Sequence, residues 1–260
     1  VIIKKSQIAA QMYTVRDFLK KPADIKTSLK KVKKMGYEAV ELAGLGPIKN
    51  EELKKMLDGE GLVACSTHGS SDDILNKPSK VVDTLQDMGI SSTVYPHPSG
   101  IDFSTLASVK AFAKKLDKSG AVFNKAGLIL AYHNHHIEFR KIKDKTVLEL
   151  IYELTDPANL KSELDTHWVQ AGGGDIVAWI KMMKKRLPLL HLKDYGVDEK
   201  ANRVFKEIGS GNLTWEPILK AAKASGCKWY VVEQDSNFLF DDPFKSLRAS
   251  FKYLSENFCV

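Results

Sequence analysis

The sequence predicts an α/β fold of the (β/α)8 TIM barrel class, a parallel eight-stranded barrel with its helices on the outside. The first observation is that short apolar runs alternate with longer segments of helical periodicity along the whole chain. The second is their number, because eight such units of roughly 30 residues each give the usual length of this barrel. The predicted strands are Ile8–Tyr13, Ala39–Ala43, Leu62–Thr67, Ile90–Tyr95, Leu128–Tyr132, Leu160–Leu164, Leu187–Leu192 and Trp229–Glu233.

The segments between these strands carry the spacing of amphipathic helices. Ile25, Leu29 and Val32 follow the i, i+4, i+7 pattern with lysines between them, which predicts one apolar face packed against the sheet. Glycine closes a helix at little cost because it adopts the left-handed conformation. Glycines stand where five of the helices are expected to end: Gly36, Gly61, Gly89, Gly127 and Gly226.

A doubly wound open sheet is the rival architecture. That fold usually carries a glycine-rich turn directly after its first strand, and here the segment Gln11-Met12-Tyr13-Thr14-Val15-Arg16 contains no glycine. Neither a linker nor a shift in composition divides the chain. Residues 1–260 are therefore predicted to form a single barrel domain.

The composition is typical of a globular protein with one large core. Hydrophobic residues make up 43% and charged residues 27% of the 260 positions, which excludes disordered, collagen-like and disulfide-scaffold proteins. No apolar run approaches the roughly 18–20 residues that span a bilayer, so no membrane partner is expected. The net charge of +7 reflects lysines at helical spacing. We interpret these as solvated helix faces and expect no nucleic-acid partner.

The compartment and the oligomeric state stay open at this level. Cys65, Cys227 and Cys259 have no metal-binding spacing and fit a reducing compartment, so a cytoplasmic location is expected. The chain begins with Val-Ile-Ile-Lys-Lys-Ser rather than with Met. A secreted or periplasmic protein that has lost a leader is therefore the alternative, and a homo-oligomer is left open.

The seven histidines are not scattered over the predicted fold. Each lies at, or just past, the carboxyl end of a strand between the third and the seventh: His68, His97, His133, His135, His136, His167 and His191. In a parallel barrel these strand ends converge on the face where the βα loops build the active site. His133 and His135 share a strand face by the period of two, so both are expected to point into the barrel mouth.

Carboxylates accompany the histidines at the same edge. Glu138 follows strand five, Asp165 ends strand six and Glu233 ends strand eight. With His191 they offer three carboxylates and one imidazole nitrogen, a set that suits one divalent ion such as Mn, Co or Mg, with zinc left open. Glu163 competes with Asp165 for this role, because it lies two residues earlier on the same strand face, one layer deeper.

Five segments spread over nearly the whole chain resemble the xylose isomerase-like superfamily of sugar isomerases and epimerases. They are Tyr-His-Asn-His-His-Ile-Glu-Phe (132–139), Leu-Asp-Thr-His-Trp (164–168), His-Leu-Lys-Asp (191–194), Gly-Ser-Gly-Asn-Leu-Thr-Trp (209–215) and Val-Val-Glu-Gln-Asp (231–235). The resemblance implies a (β/α)8 barrel that holds one divalent ion with Glu138, Asp165, His191 and Glu233. Several relatives carry the first of these glutamates on strand five itself, where this chain has His133.

The resemblance also implies the chemistry. Enzymes of this superfamily remove a proton next to a carbonyl, and the ion stabilises the enediolate that forms. The chain is therefore expected to be a divalent-metal-dependent sugar isomerase or epimerase that acts on a small sugar or polyol. Glu138, Glu233 and His135 are the candidate bases, and Lys193 can neutralise an enolate oxygen. The residues expected to contact the substrate are His68, His97, His133 and Trp168.

Three other functions compete with this one. A metal-dependent lyase or dehydratase acting on a keto sugar or keto-inositol shares the first chemical step. An apurinic-site endonuclease shares the barrel, but that family places a zinc histidine three residues after the strand-six aspartate, where this chain has Trp168. It also carries an Asp-x-His pair where this chain has Asn202-Arg203-Val204. A non-catalytic sugar-binding barrel would have no need of all four proposed ligands.

Overall fold

The eight predicted strands all form, in the predicted order along the chain. The computed structural model describes residues 2–259. Strand ends differ from the prediction by one or two residues: the first strand gives way to a 3-10 helix after Gln11, whereas the fifth and sixth reach His133 and Asp165. The strands are β1 (Ile8–Gln11), β2 (Ala39–Leu42), β3 (Val63–Thr67), β4 (Ser92–Tyr95), β5 (Ile129–His133), β6 (Lys161–Asp165), β7 (Leu189–Leu192) and β8 (Trp229–Val232).

These strands pair in one parallel sheet, in the order β3-β2-β1-β8-β7-β6-β5-β4. The two ends of this order approach each other, because His68 after β3 forms a parallel bridge with Val94 in β4. The Gly69 N–H donates to the Val94 carbonyl over 3.2 Å at the same place. The sheet is thus a nearly closed barrel, which confirms the predicted fold class.

Helices cover the outside of the barrel. In α1 the predicted apolar face of Ile25, Leu29 and Val32 is completely buried, while Lys26 and Lys30 between them are exposed. No helix in the described part of the chain combines the length and the apolar character needed to cross a bilayer. The α-helices are α1 (Pro22–Lys34), α2 (Asn50–Glu60), α3 (Ser71–Asn76), α4 (Pro78–Met88), α5 (Leu106–Lys125), α6 (Val147–Glu153), α7 (Thr166–Ala171), α8 (Ile176–Met182), α9 (Trp215–Ala224) and α10 (Pro243–Phe258).

Two layers of side chains inside the barrel determine where a site can form. The lower layer is apolar, and its members are mostly small: Ala9, Ala39, Cys65, Val94, Ala131, Leu189 and Val231. Side chains alternate across a strand, so the residue two positions later faces the interior one layer closer to the carboxyl ends. In five strands that later residue is polar and almost fully buried: Gln11, Glu41, His133, His191 and Glu233. The strand period therefore gathers these polar groups at one level of the barrel.

A substitution of Gly36, which follows α1, should lower the stability of the fold. Gly36 has φ +109°, and an added Cβ would lie 2.5 Å from a ring carbon of Phe251 in α10. Gly36→Ala should therefore lower the free energy of unfolding by about 2 kcal/mol, through backbone strain and overpacking. Chemical denaturation measures this change.

Gly59 provides the matched control. It is exposed within α2, and an added Cβ there would meet no atom within 4 Å. Gly59→Ala should raise the free energy of unfolding by about 0.5–1 kcal/mol, because alanine is the better helix former. Equal stability of Gly36→Ala and the wild type would contradict the tight contact with Phe251.

Candidate active site

An open cavity of about 590 Å³ lies at the carboxyl end of the barrel. Its volume is within the range of sites for small molecules. Six residues of its wall are residues that the sequence analysis selected: His68, His97, His133, His135, Lys193 and Glu233. The strand ends therefore bring most of the predicted polar residues to one concave surface.

Four donor atoms converge at this end of the barrel, and we call them the outer group. They belong to His133, Asp165, His191 and Glu233, and all lie within 4.8 Å of one another. His191 Nδ1 is 2.9 Å from Glu233 Oε2, and Asp165 Oδ2 is 3.8 Å from His133 Nε2. Two imidazole nitrogens and two carboxylate oxygens suit a divalent ion such as Mn, Co or Zn. These residues thus fit a single divalent cation, whose identity their chemistry leaves open.

The ammonium of Lys193 lies among the same carboxylates. Its Nζ is 2.7 Å from Glu233 Oε2, 3.0 Å from Asp165 Oδ2 and 3.0 Å from Asp235 Oδ2. Burial opposes the charge, but the carboxylates outweigh it and hold the pKa of Lys193 well above its ordinary value. Three carboxylates against one ammonium leave an excess of two negative charges when all are ionised. This excess matches the charge of a divalent cation.

The two carboxylates of the outer group differ in how readily they ionise. Burial raises the pKa of Asp165 to about 6, although Lys193 and His191 act against this rise. Burial also opposes the charge of Glu233, but there Lys193 and His191 prevail and lower the pKa far below its ordinary value. Glu233 is therefore an anion at any physiological pH.

The imidazole of His135 is held neutral. Burial, assisted by the charge of Lys193, lowers the pKa of His135 to about 2. The ring of His97 packs edge-on against it with centroids 4.6 Å apart, and His97 Nδ1 lies 2.9 Å from the Ser99 hydroxyl. Within residues 2–259, His135 Nδ1 is buried and has no hydrogen-bond partner. The ring is therefore unprotonated at physiological pH, because burial disfavours its charged form.

Glu138 lies away from the outer group, and the ligand and catalytic roles expected for it need correction. It sits in a 3-10 turn, Ile137–Phe139, where the Tyr132 hydroxyl donates to Oε1 over 2.7 Å and the His135 N–H donates to Oε2 over 2.8 Å. Both carboxylate oxygens are thus engaged, and the side chain is completely buried. Because β5 extends to His133, that histidine takes the inward position at this level. Glu138 instead fixes the turn that carries His135.

Trp168 also lies elsewhere than expected. Its indole packs against the rings of His135 and His136, with centroids 5.5 and 5.2 Å away. Lys193 Nζ is 5.4 Å from the centre of the indole, and Trp168 is not part of the cavity wall. The side chain therefore supports His135 and Lys193 from behind, rather than offering a platform for a sugar ring.

Several polar residues of the site escaped the sequence analysis. Glu41, at the end of β2, is completely buried, and its Oε1 accepts a hydrogen bond of 2.6 Å from Gln11 Nε2. The sequence pattern could have indicated Glu41, because this residue follows apolar residues of a strand just as Glu233 does. Arg16 joins two loops of the cavity rim by donating to the backbone carbonyls of Tyr13 and Asp235 over 3.1 and 3.0 Å. No local pattern around Arg16 pointed to this role.

The environment of Glu138 predicts that stability depends on pH. Burial raises the pKa of Glu138 from the ordinary 4.5 to about 7, against the hydrogen bonds from Tyr132 and His135. Because the pKa is higher in the folded chain, protonation of Glu138 stabilises the fold fully below about pH 4.5, and this contribution is lost as the pH rises through about 7. Glu138→Gln stays neutral at every pH. Between about pH 5 and pH 8, the variant should therefore lose less unfolding free energy than the wild type, by on the order of 2–3 kcal/mol.

Urea unfolding at the two pH values measures this difference. Glu52→Gln, at an exposed position of α2, is the control and should show the same pH dependence as the wild type. If Glu138→Gln also matched the wild type, Glu138 would not titrate in this range.

Comparisons with known proteins place the chain in a family. The family model described as the xylose isomerase-like TIM barrel matches residues 29–256. The chain is 26% identical over 157 residues to inosose dehydratase of Geobacillus thermodenitrificans, and the alignment covers 54% of this chain and 52% of that protein. The chain thus spans about half the length of that relative. With inosose dehydratase of Bacillus anthracis the identity is 23% over an alignment length of 257, and the alignment covers 85% of this chain and 85% of that protein.

A crystal structure gives the same result at the level of the fold. A protein of Parabacteroides distasonis, described as a sugar phosphate isomerase/epimerase, superposes with a TM-score of 0.84 over 98% of this chain and 95% of the other, at 24% identity. The family match covers most of the chain and agrees with the nearly closed parallel barrel. This chain belongs to the xylose isomerase-like TIM barrel family.

Proposed function

We propose that this protein is a divalent-metal-dependent enzyme that removes a proton next to a carbonyl in a small sugar or polyol, as a sugar isomerase or epimerase. The observation that carries the proposal is the outer group, in which His133, Asp165, His191 and Glu233 converge beside the buried ammonium of Lys193. The family supports it, as does the likeness to the protein described as a sugar phosphate isomerase/epimerase.

Each charged group has a distinct part in this proposal. A divalent ion held by the outer group would supply Lewis-acid stabilisation of negative charge on the substrate. Lys193 adds a fixed positive charge at the cavity wall, where an oxygen of the substrate becomes negative as the proton leaves. Glu233 and Asp165 hold that ammonium in place through their ion pairs.

His135 is the proposed base. It lines the cavity and its imidazole is unprotonated, so it can accept a proton when the negative charge that develops on the substrate offsets the burial that opposes its own charge. The hydrogen bond from its backbone N–H to Glu138 fixes the turn on which it stands. His68 and His97, also on the cavity wall, are proposed to bind hydroxyl groups of the substrate.

A dehydratase of a keto sugar or keto-inositol is the second candidate. The observation that favours it is the description of the sequence relatives as inosose dehydratases. The first step is the same removal of a proton next to the carbonyl. In a dehydration, the neighbouring carbon then loses its hydroxyl group, which takes up a proton and leaves as water. In an isomerisation or epimerisation, a proton returns to carbon instead.

Glu233→Gln should abolish turnover while the fold survives. The substitution removes an anionic ligand of the outer group and the closest ion pair of Lys193, so we expect a loss of about 10³-fold or more. Turnover is measured on a panel of ketopentoses, ketohexoses and keto-inositols with added Mn²⁺ or Co²⁺, after circular dichroism has verified folding. Glu216→Gln, on the exposed face of α9, is the matched control. Full activity of Glu233→Gln would contradict the proposed role.

Heavy water distinguishes the two candidate reactions. An isomerase or epimerase that exchanges the abstracted proton with solvent should give a product of unchanged formula that carries one carbon-bound deuterium. A dehydratase should give a product that is lighter by one molecule of water. Mass spectrometry separates these outcomes. A turned-over product with neither deuterium nor loss of water would contradict proton abstraction by a solvent-exchanging base.

A further inference from the structure

A second set of donor atoms lies next to the outer group, and we call it the inner group. It consists of Glu41 Oε1, His68 Nε2, Glu163 Oε2, His133 Nδ1 and His191 Nε2. Donor atoms of His68, His133, Glu163 and His191 all lie within 4.8 Å of one another. Glu41 Oε1 is 2.7 Å from His191 Nε2 and 3.1 Å from His68 Nε2. On β6, Glu163 precedes Asp165 by two residues, so it faces the interior one layer deeper.

The two groups share two imidazoles but use opposite ring nitrogens. His191 directs Nδ1 to Glu233 in the outer group and Nε2 to Glu41 in the inner group, at 2.9 and 2.7 Å. His133 has Nε2 3.8 Å from Asp165 and Nδ1 3.3 Å from Glu163. The inner group is therefore a separate set of contacts and not an extension of the outer one.

The inner group has more short nitrogen–oxygen contacts than it has protons to form hydrogen bonds. Its three ring nitrogens make five approaches of 2.7–3.3 Å to the carboxylates of Glu41 and Glu163. Each ring nitrogen carries at most one proton, so three protons would have to serve five contacts. His133 Nδ1 is buried and makes no hydrogen bond within the described residues. One cation between these atoms would engage a lone pair of every donor at once.

The spacing of the donors suits a bound metal ion. In a tetrahedral site with ligand distances of about 2.1 Å, neighbouring donor atoms lie roughly 3.4 Å apart, and in the inner group they approach to 2.7–3.3 Å. A small outward movement of the side chains would accommodate the ion.

The charge of the inner group also favours a bound cation. Glu41 and Glu163 are completely buried, and each has one oxygen without a hydrogen-bond partner in the described chain. In contrast to the outer group, neither carboxylate pairs with a lysine or an arginine among residues 2–259. Buried carboxylates need a compensating charge, and two of them match one divalent cation.

We propose that the inner group binds a second divalent cation of the zinc type. Glu41, His68 and Glu163 are its own ligands, and His191 Nε2 completes a set of two carboxylate oxygens and two imidazole nitrogens, which zinc accepts readily. Gln11 Nε2 donates to Glu41 Oε1 over 2.6 Å and orients that carboxylate. The site requires no substrate. When both groups hold an ion, His191 bridges the two ions as an imidazolate, and its ring proton is released to solvent.

Metal stoichiometry in matched variants tests the proposal. The purified chain is stripped with a chelator, loaded with zinc chloride and freed of excess metal, and its zinc content is measured by mass spectrometry. The wild type should hold two equivalents per chain. Glu163→Gln should hold one, because it loses the inner site, and Asp165→Asn should hold one, because it loses the outer site. Circular dichroism verifies folding, and Glu41→Gln is an independent inner-site variant should Glu163→Gln fail to fold.

Thermal unfolding provides a readout that does not depend on the loading procedure. Zinc should still raise the melting temperature of Asp165→Asn through its inner site, and this shift should vanish when Glu163→Gln is added, because only a ligand that binds the folded state stabilises it. Undiminished zinc content in Glu163→Gln and Glu41→Gln would overturn the inner site and leave the proposed function intact. Zinc lost from these variants but fully retained by Asp165→Asn would support the inner site and contradict the outer one.

Discussion

Compensation of buried negative charge is the constraint on which the site depends. Glu41, Glu163, Asp165 and Glu233 expose 5% of their surface or less, and Lys193 pairs with Asp165 and Glu233. An ionised carboxylate inside a protein costs several kcal/mol unless an opposite charge accompanies it. The interior must therefore take up positive charge, as an ammonium, as protons on imidazoles or as metal cations.

The pKa of each buried imidazole depends on the charges that surround it. Burial lowers the pKa of a histidine, but Glu41 and Glu163 outweigh burial at His68 and raise its pKa to about 10. At His135 burial prevails, with the charge of Lys193 acting in the same direction, and the ring stays neutral. One barrel mouth thus holds imidazoles in opposite charge states, a cationic ring beside the interior carboxylates and a neutral ring at the cavity.

In the proposed function, the outer group serves the first step, removal of a proton, and does not determine how the reaction ends. Isomerisation, epimerisation and dehydration all start from the carbanion next to a carbonyl, and charge stabilisation serves them equally. They differ in whether a proton returns to carbon or a hydroxyl group departs, which depends on groups around the second carbon of the substrate. His68, His97 and Arg16 line the cavity in which these groups would lie. The barrel fold alone carries no such information.

The sequence by itself determined the eight strands and the order of the elements, because hydrophobic periodicity and glycines at helix ends are local signals. Asp165, His191 and Glu233 were selected from the sequence for the same reason, since each lies at or next to the carboxyl end of a predicted strand. Only the tertiary structure decided between His133 and Glu138, because this depends on how far β5 extends and on which layer each side chain faces. It also revealed Glu41, whose partners come from strands distant in sequence. Such pairings arise from register and barrel closure, which bring together residues that no local pattern connects.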